Sequence, residues 1–462
     1  MTVGLSMIVK NAAADLEACL ASVAGWVDEM VVADTGSSDG TPELAERLGA
    51  RVMRVRWEQD FAQARNRALQ GLQTDWALSL DADERLDAGS GTAARRQWRA
   101  QLAGGFDAFQ VTIRNYVPSL EARVWDRPAE RNRGEFAEGR AYPGFIEHQN
   151  VRLFRRCQEI YFVGRVHESV GPRVQAAGLK LGTARGRIHH FGLVRPPAVQ
   201  AAKNRYYREL GRKKVQEQPA DPQAHFELGV VEFDNFGNYG EALRCFERTL
   251  RLQPGFVQAW FFAGAALARL GHPQEALAFL QQSQARGGES AALQELMADC
   301  AYNLALYKDA VKGYRAAAAR VTAVHAAILL SKRGLAELRA GDAANGLRHL
   351  HEAADAEPVS VDNLDRLATA LVAQQDLPSA AGALRRRVES FPDQPQGYLR
   401  LAAVLMQLEQ PRAAQDCLSD GLKSLPAEAQ LQAAWRELQH AAGQSAGGGL
   451  KPAALAPIGV HE

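Results

Sequence analysis

Leu78-Ser79-Leu80-Asp81-Ala82-Asp83-Glu84 is the stretch on which the fold of the amino-terminal half turns. It closes an apolar run that begins at Trp76. In a strand, residues i and i+2 point the same way. Asp81 and Asp83 are therefore expected to present two carboxylates together where a strand runs out. Hard divalent cations such as Mg2+ and Mn2+ take oxygen ligands of this kind. In an open α/β sheet, ligands collect at the carboxyl ends of the strands. A cation bound there would hold a diphosphate. Surface loops also carry Asp-x-Asp, so the meaning of the pair depends on its surroundings.

Those surroundings alternate between strand and helix. Val3-Gly4-Leu5-Ser6-Met7-Ile8-Val9 reads as a buried first strand, ended by Lys10-Asn11. Residues 15–23 have helical spacing, with Leu16, Leu20 and Val23 on one face. A second strand over 30–33 ends at Asp34, and Thr35-Gly36-Ser37-Ser38-Asp39-Gly40 is a polar loop. Thr41 is expected to cap the next helix, with Pro42 at its first position and Gly49 closing it. Residues 50–55 read as a third strand, 61–72 as a helix and 76–80 as a fourth strand. This alternation implies a parallel α/β sheet with right-handed crossovers.

Four ordered blocks carry a resemblance. They are Ser6-Met7-Ile8-Val9-Lys10-Asn11, the stretch Val31 through Thr41, Phe61-Ala62-Gln63-Ala64-Arg65-Asn66, and Leu80-Asp81-Ala82-Asp83-Glu84. Together they resemble a family 2 glycosyltransferase over about residues 1–195. The resemblance extends to a bacterial branch fused to tetratricopeptide repeats, which includes S-glycosyltransferases of glycopeptide bacteriocins. Lipopolysaccharide core transferases are similar in the same blocks. The resemblance implies a GT-A fold, Rossmann-like with a mostly parallel sheet, a nucleotide-sugar donor and inversion at the anomeric carbon. By position it implies that Asn11, Asp34, Arg65 and Asp81 serve the donor nucleotide. Asp34 would meet the pyrimidine or ribose, and Arg65 would lie near the base. It also implies Mn2+ or Mg2+ on Asp81 and Asp83, Asp83 being the more direct ligand. Lys10 departs from the Tyr that many relatives carry before the Asn.

An acceptor must lose a proton as it attacks the sugar, and a positioned base is typically worth about 10²–10⁴-fold in rate. The block Val166-His167-Glu168 offers two candidates, Glu168 and His167, since an imidazole titrates near neutral pH. The competing reading is that Glu168 bridges to Arg152 or Arg165 and that His167 only packs. His190, in Ile188-His189-His190-Phe191-Gly192, resembles a late His that supplies a further metal ligand in such folds. Residues 115–146 hold no apolar period and include Trp125, Asp126 and a run of alternating charge. They are expected to be a lid over the acceptor or solvated surface.

The second half has a different pattern. Pro222, Pro254, Pro358, Pro392 and Pro426 mark a period near 34. Glu241-Ala242-Leu243, Glu275-Ala276-Leu277 and Asp309-Ala310-Val311 recur at 34 residues. Leu228-Gly229 and Ala263-Gly264 occupy small-residue positions, and large apolar residues follow at Phe246, Leu280, Tyr314, Leu350, Leu384 and Leu418. This is the pattern of about six tetratricopeptide repeats forming an all-α solenoid. They run from 222 to 440, with a degenerate repeat around 289–325. Such repeats bury their apolar faces against neighbours and carry no chemistry. They are expected to recruit an acceptor or protein partner, or to mediate self-association.

Residues 196–221 join the halves as a basic helix that caps the first repeat, and 441–462 read as a disordered tail. Net charge is +1, so nothing draws the chain towards nucleic acid. Five scattered cysteines show no metal spacing or disulfide framework, which favours a reducing compartment. The first ten residues lack the features of a signal peptide, and no apolar run is long enough for a membrane span. The expected setting is the cytoplasm, or the inner membrane face if the acceptor is lipid-linked. The function expected is transfer of a sugar from a nucleoside-diphosphate donor, UDP first, to a peptide, protein or glycolipid acceptor. The alternative is a repeat scaffold with a non-catalytic transferase domain. A nucleotidyltransferase would show a Gly-rich basic loop after its first strand, which Lys10-Asn11-Ala12-Ala13-Ala14 is not.

Overall fold

The computed structural model describes residues 1–89, 91–120, 122–124, 127–321, 323–357 and 360–444. Trp125, Asp126, Pro358 and the tail beyond 444 lie outside the described residues. The chain divides into two compact units, Met1–Phe262 and Ala263–Glu462.

The first unit is built on a mixed sheet. Strands β1 (Val3–Val9), β2 (Glu29–Asp34), β3 (Arg51–Arg54) and β4 (Trp76–Ser79) lie in the order β3-β2-β1-β4, all parallel. Helices α1 (Ala13–Val23), α2 (Thr41–Arg47) and α3 (Phe61–Gly71) connect them, as the alternation predicts. After β4 the chain stops making crossovers and the sheet continues largely antiparallel. It adds β5 (Glu84–Asp87), β6 (Ala108–Val117), β10 (Gly144–Arg155) and β11 (Leu181–His190) in the order β4-β10-β6-β11-β5. Only β11 and β6 run parallel there. Short strands β7 (Arg123–Val124) and β8 (Arg127–Pro128) pair with each other, and β9 (Glu130–Arg131) pairs with β10. The stretch 115–146 thus contains the ends of a long antiparallel pair, β6 with β10. Its apolar residues are shared between strands rather than spaced along one element. Helices α4 (Gly91–Ala100) and α5 (Gly171–Ala176) complete the domain.

Two apolar layers sandwich the sheet, and strand alternation divides residues between them. Trp76 and Leu78 face Leu5, Leu16, Leu20, Trp98 and Phe109 on one side. Ala77 and Phe154 face Leu69, Leu72 and Phe162 on the other. The start of α2 differs by one residue from expectation. Gly40 holds the N-cap in the left-handed region and Thr41 is already helical. The Asp39 carboxylate accepts the Thr41 N–H and hydroxyl, which leaves Thr41 Oγ1 free to accept from Ala12 N at 2.8 Å.

Helix α6 (Pro197–Glu217) follows the sheet and leads into α7 (Pro222–Asp234), α8 (Tyr239–Leu252) and α9 (Val257–Arg269). The second unit continues with α10 (Pro273–Ala285), α11 (Ala291–Asn303), α12 (Tyr307–Ala318), α13 (Ala323–Arg339) and α14 (Ala343–Ala356). It ends with α15 (Val361–Ala373), α16 (Leu377–Ser390), α17 (Pro395–Gln407), α18 (Pro411–Ser424) and α19 (Ala429–Gln444). Helix α19 therefore takes in residues 441–444, which the sequence pattern assigned to the tail. Within each unit the helices pack pairwise as tetratricopeptide repeats do: α7 with α8 in the first, and α11 with α12, α13 with α14, α15 with α16 and α17 with α18 in the second. The segment around 289–325 forms a regular pair, α11 and α12, with Tyr314 buried in its core. Its period slips because α13 is 17 residues long against 13 for α11 and α15. No helix among the described residues is long and apolar enough to cross a membrane.

Candidate active site

The carboxyl ends of β1 and β4 open onto a cavity of about 490 Å³. Asn11, Arg65, Asp81, Asp83, His167, Glu168 and His190 all line it. These residues are spread over most of the first domain's sequence, and the sheet brings them together. Asp34 does not reach the wall; its neighbour Thr35 does. The Asp34 carboxylate is buried and accepts the N–H groups of Gly36 and Ser37, so it shapes the loop after β2. Asn11, in the left-handed region at φ 51, fastens the same loop. Its N–H donates to Ser37 Oγ and its Oδ1 accepts from Ser38 N, both at 2.8 Å.

Asp81 and Asp83 are not presented by strand alternation. Strand β4 ends at Ser79, and a turn closed by Glu84 N–H on the Asp81 carbonyl carries both acids. Arg65 reaches in from α3 and donates from Nη2 to Asp81 Oδ1, from Nε to Glu168 Oε1 and from Nη1 to Ser79 Oγ. Burial opposes a charged Arg65, but Asp81 and Glu168 raise its pKa further and keep it protonated. Burial likewise opposes an ionised Asp81, and Arg65 and Arg152 override it and hold its carboxyl well below the usual range. Arg152 Nη2 lies 2.7 Å from Glu84 Oε1 and 3.6 Å from Asp81 Oδ2. The expected alternatives for Glu168 are therefore replaced: Arg152 serves Glu84, Arg165 pairs with Glu217 at 2.8 Å, and Glu168 belongs to Arg65.

Asp83 and His190 form a separate pair. Asp83 Oδ1 faces His190 Nε2 at 3.6 Å, and Asp83 Oδ2 lies 3.3 Å from Arg195. Burial opposes ionisation of Asp83, but His190 lowers its pKa to about 2. Burial would depress His190, and Asp83 instead raises it. His190 Nδ1 contacts Asn115 Oδ1 at 2.7 Å, while Asn115 Nδ2 donates to the Ile146 carbonyl. That network assigns the proton to Nδ1 and turns Nε2 towards Asp83. A carboxylate and an imidazole lone pair facing each other need a proton or a cation between them, and a hydrogen bond such as Asn115 makes to the far ring nitrogen is typical of metal-ligating His. Gly192 keeps the space open, since a Cβ there would fall 2.4 Å from His190 Nε2. Among the described residues, no group of three His, Cys, Asp or Glu side chains is arranged to hold a metal ion. Both oxygens of Asp81 face arginines, which separates it from the Asp83–His190 pair.

The cavity also has residues that the sequence blocks do not mark: Trp57, Lys203, Tyr206 and Tyr207. Trp57 Nε1 donates to Tyr206 Oη at 2.5 Å, and Phe61 stacks on Tyr207 at 5.4 Å. Helix α6, read from sequence as a repeat cap, is thus also a wall of the cavity. The available signal was the i, i+3, i+4 spacing of Lys203, Tyr206 and Tyr207, which sets them on one helical face.

Residues 5–156 match the family model described as Glycosyl transferase family 2, and 233–292 and 331–395 match a Tetratricopeptide repeat model. The chain thus carries a GT-A-like glycosyltransferase domain followed by tetratricopeptide repeats. It is 38% identical over 153 residues to a TPR repeat-containing protein of Synechococcus elongatus, covering 33% of this chain and 37% of that protein. It is 29% identical over 169 residues to the SPbeta prophage-derived glycosyltransferase SunS of Bacillus subtilis, covering 36% of this chain and 34% of that one. Each match spans little more than a third of the relative's length. Among solved structures, the APC/C hetero-tetramer Cut9-Hcn1 aligns over 52% of this chain and 46% of its own at TM-score 0.39 and 16% identity.

Proposed function

We propose that this chain is a metal-assisted, inverting glycosyltransferase. It would move a hexosyl group from a nucleoside-diphosphate donor, UDP first, to a peptide, protein or glycolipid acceptor, while the repeats recruit that acceptor or a partner. The observation that carries the reading is one cavity lined by Asp81, Asp83, His190, Arg65 and Glu168 at the strand ends of the family 2 domain.

The residues divide the work by position. The loop held by Asn11 and Asp34 would seat the nucleoside, with Thr35 at the wall. Arg65 fixes Asp81 and Glu168 relative to each other and so orients the donor against the base. Asp83 and His190 would hold Mn2+ or Mg2+, which supplies charge neutralisation to a leaving diphosphate. In the transfer, the acceptor atom forms a bond to the anomeric carbon on the face opposite the breaking bond to phosphate. The acceptor proton passes to Glu168 or His167, and the electron pair of the broken bond leaves with the nucleoside diphosphate. Both candidate bases line the same cavity.

The test is titration of the full chain with UDP, with and without Mn2+, followed by donor hydrolysis across a panel of nucleotide sugars. Metal-dependent binding and slow hydrolysis of one donor support the reading. No binding of any nucleoside diphosphate would leave the repeat scaffold as the better account.

A further inference from the structure

We infer that helix α6 is an active-site element, and that Lys203 on it is the side-chain cation that, beside a metal on Asp83 and His190, receives the negative charge of the departing nucleoside diphosphate. This rests on the glycosyl-transfer reading above and adds a residue outside the segment that matches the family, which ends at 156.

The first support is the state of the other cations in the cavity. Arg65 is committed to Asp81 and Glu168. Arg152 is committed to Glu84 and Asp81. Arg195 is committed to Asp15 and Asp83. The arginines therefore match the acids already present and have little charge to offer an entering anion. Lys203 lines the same cavity and has no ion-pair or hydrogen-bond partner among the described residues. Its ammonium rests 5.8 Å from the centre of the Tyr207 ring, one helical turn along. Lys10 is the other unpaired lysine on the wall, and it sits beside Asn11 at the end of β1, where the nucleoside is expected.

The second support is that α6 is anchored where it lies. Towards the sheet domain, Tyr206 accepts from Trp57, Tyr207 stacks on Phe61, Lys213 donates to Gln59 and Glu217 pairs with Arg165. Towards the first repeat, Arg208 and Arg212 converge on buried Glu232. The Lys203 backbone is therefore held at the cavity mouth, while its four-carbon stem lets the ammonium follow a moving charge.

The chemistry needs such a group. When the bond from anomeric carbon to phosphate oxygen breaks, its electron pair moves onto the diphosphate. A donor aimed at developing charge is worth about 10²–10³-fold in rate, and Lys203, exposed at the edge of the cavity, is expected at the lower end.

The experiment compares Lys203→Met, Lys203→Arg and Arg205→Ala in the full chain. Arg205 is exposed on the same helix and does not line the cavity. The probes are UDP for binding by calorimetry and, for kcat, whichever UDP-hexose the wild type hydrolyses. Lys203→Met should lower kcat by about 10²-fold with a smaller loss of UDP affinity. Lys203→Arg should recover most of the rate, and Arg205→Ala should match wild type. A wild type that hydrolyses the donor no faster than Lys203→Met overturns this inference alone. An equal loss in Arg205→Ala also overturns it, since the helix and not the charge would then matter. A wild type that binds no nucleotide overturns the glycosyl-transfer reading with it.

Discussion

Arg65 donates to Asp81 and Glu168 from one buried guanidinium, so two candidate site acids depend on it for their positions. Arg65→Met would leave Glu168 without its cation and Asp81 with only Arg152, 3.6 Å from its other oxygen. Breaking a buried pair by removing one partner costs about 3–5 kcal/mol, so thermal unfolding should show a clear drop in Tm together with loss of UDP binding. Glu168→Gln is a different case, because the amide oxygen still accepts from Arg65. Its Tm and UDP affinity should stay near wild type while transfer falls by about 10²-fold or more. Normal transfer in Glu168→Gln with none in His167→Ala would move the base to His167. Asp83→Ala should keep the fold and lose the Mn2+-dependent part of UDP binding, which calorimetry would read directly; unchanged affinity removes the metal role. Asp81, Asp83 and Arg65 were legible in the sequence because each lies in a short local block. The partnering of Glu168 with Arg65 was not, since the two are 103 positions apart.

Helix α6 shows how one element can serve two neighbours. Its basic run reads in the sequence as a helix that caps the first repeat. In the fold, Arg208 and Arg212 meet Glu232 of α7, which is fully buried and also accepts from Asn238. Burial would raise the Glu232 carboxyl, but the hydrogen bonds from Arg208 and Asn238 bring it below its ordinary value. The stability it contributes is therefore present above the unfolded carboxylate pKa, about 4, and is lost as pH falls through the lower folded value. Glu232→Gln should cost roughly 1–3 kcal/mol near neutral pH. The Tm difference from wild type should shrink once the pH falls below about 4. A difference that stays constant with pH would mean the charge is not what matters. Within the repeats the local signal was stronger. Gly229 sits where a Cβ would come 2.6 Å from Phe246, so the small residue marks the crossing of α7 and α8.

At the scale of the whole molecule, the first compact unit extends to Phe262 and so includes α6, α7 and α8 with the sheet domain. A fragment ending at residue 220 would strip α6 of Glu227 and Glu232, its partners on α7. A fragment ending at residue 271 keeps them and keeps α9 intact. We expect the longer fragment to bind UDP and hydrolyse donor slowly while losing transfer to the natural acceptor, and the shorter one to aggregate or melt lower. Full transfer by the longer fragment would remove the second unit from acceptor recognition. Self-association would then be its better explanation, measurable by light scattering.

The α/β start, the helical repeats and the Asp81-x-Asp83 pair just after β4 were all readable from the sequence, because period and short blocks are properties of neighbouring residues. The antiparallel half of the sheet was not readable, since its strands pair across long separations. The aromatic and cationic wall that α6 adds to the cavity was hidden for the same reason. Nothing in the composition of Lys203, Tyr206 and Tyr207 says which surface they face. That depends on Trp57 and Phe61 meeting the helix from 149 and 146 positions away. Contacts of that length are set by packing and burial in the folded chain, and only the tertiary structure decides them.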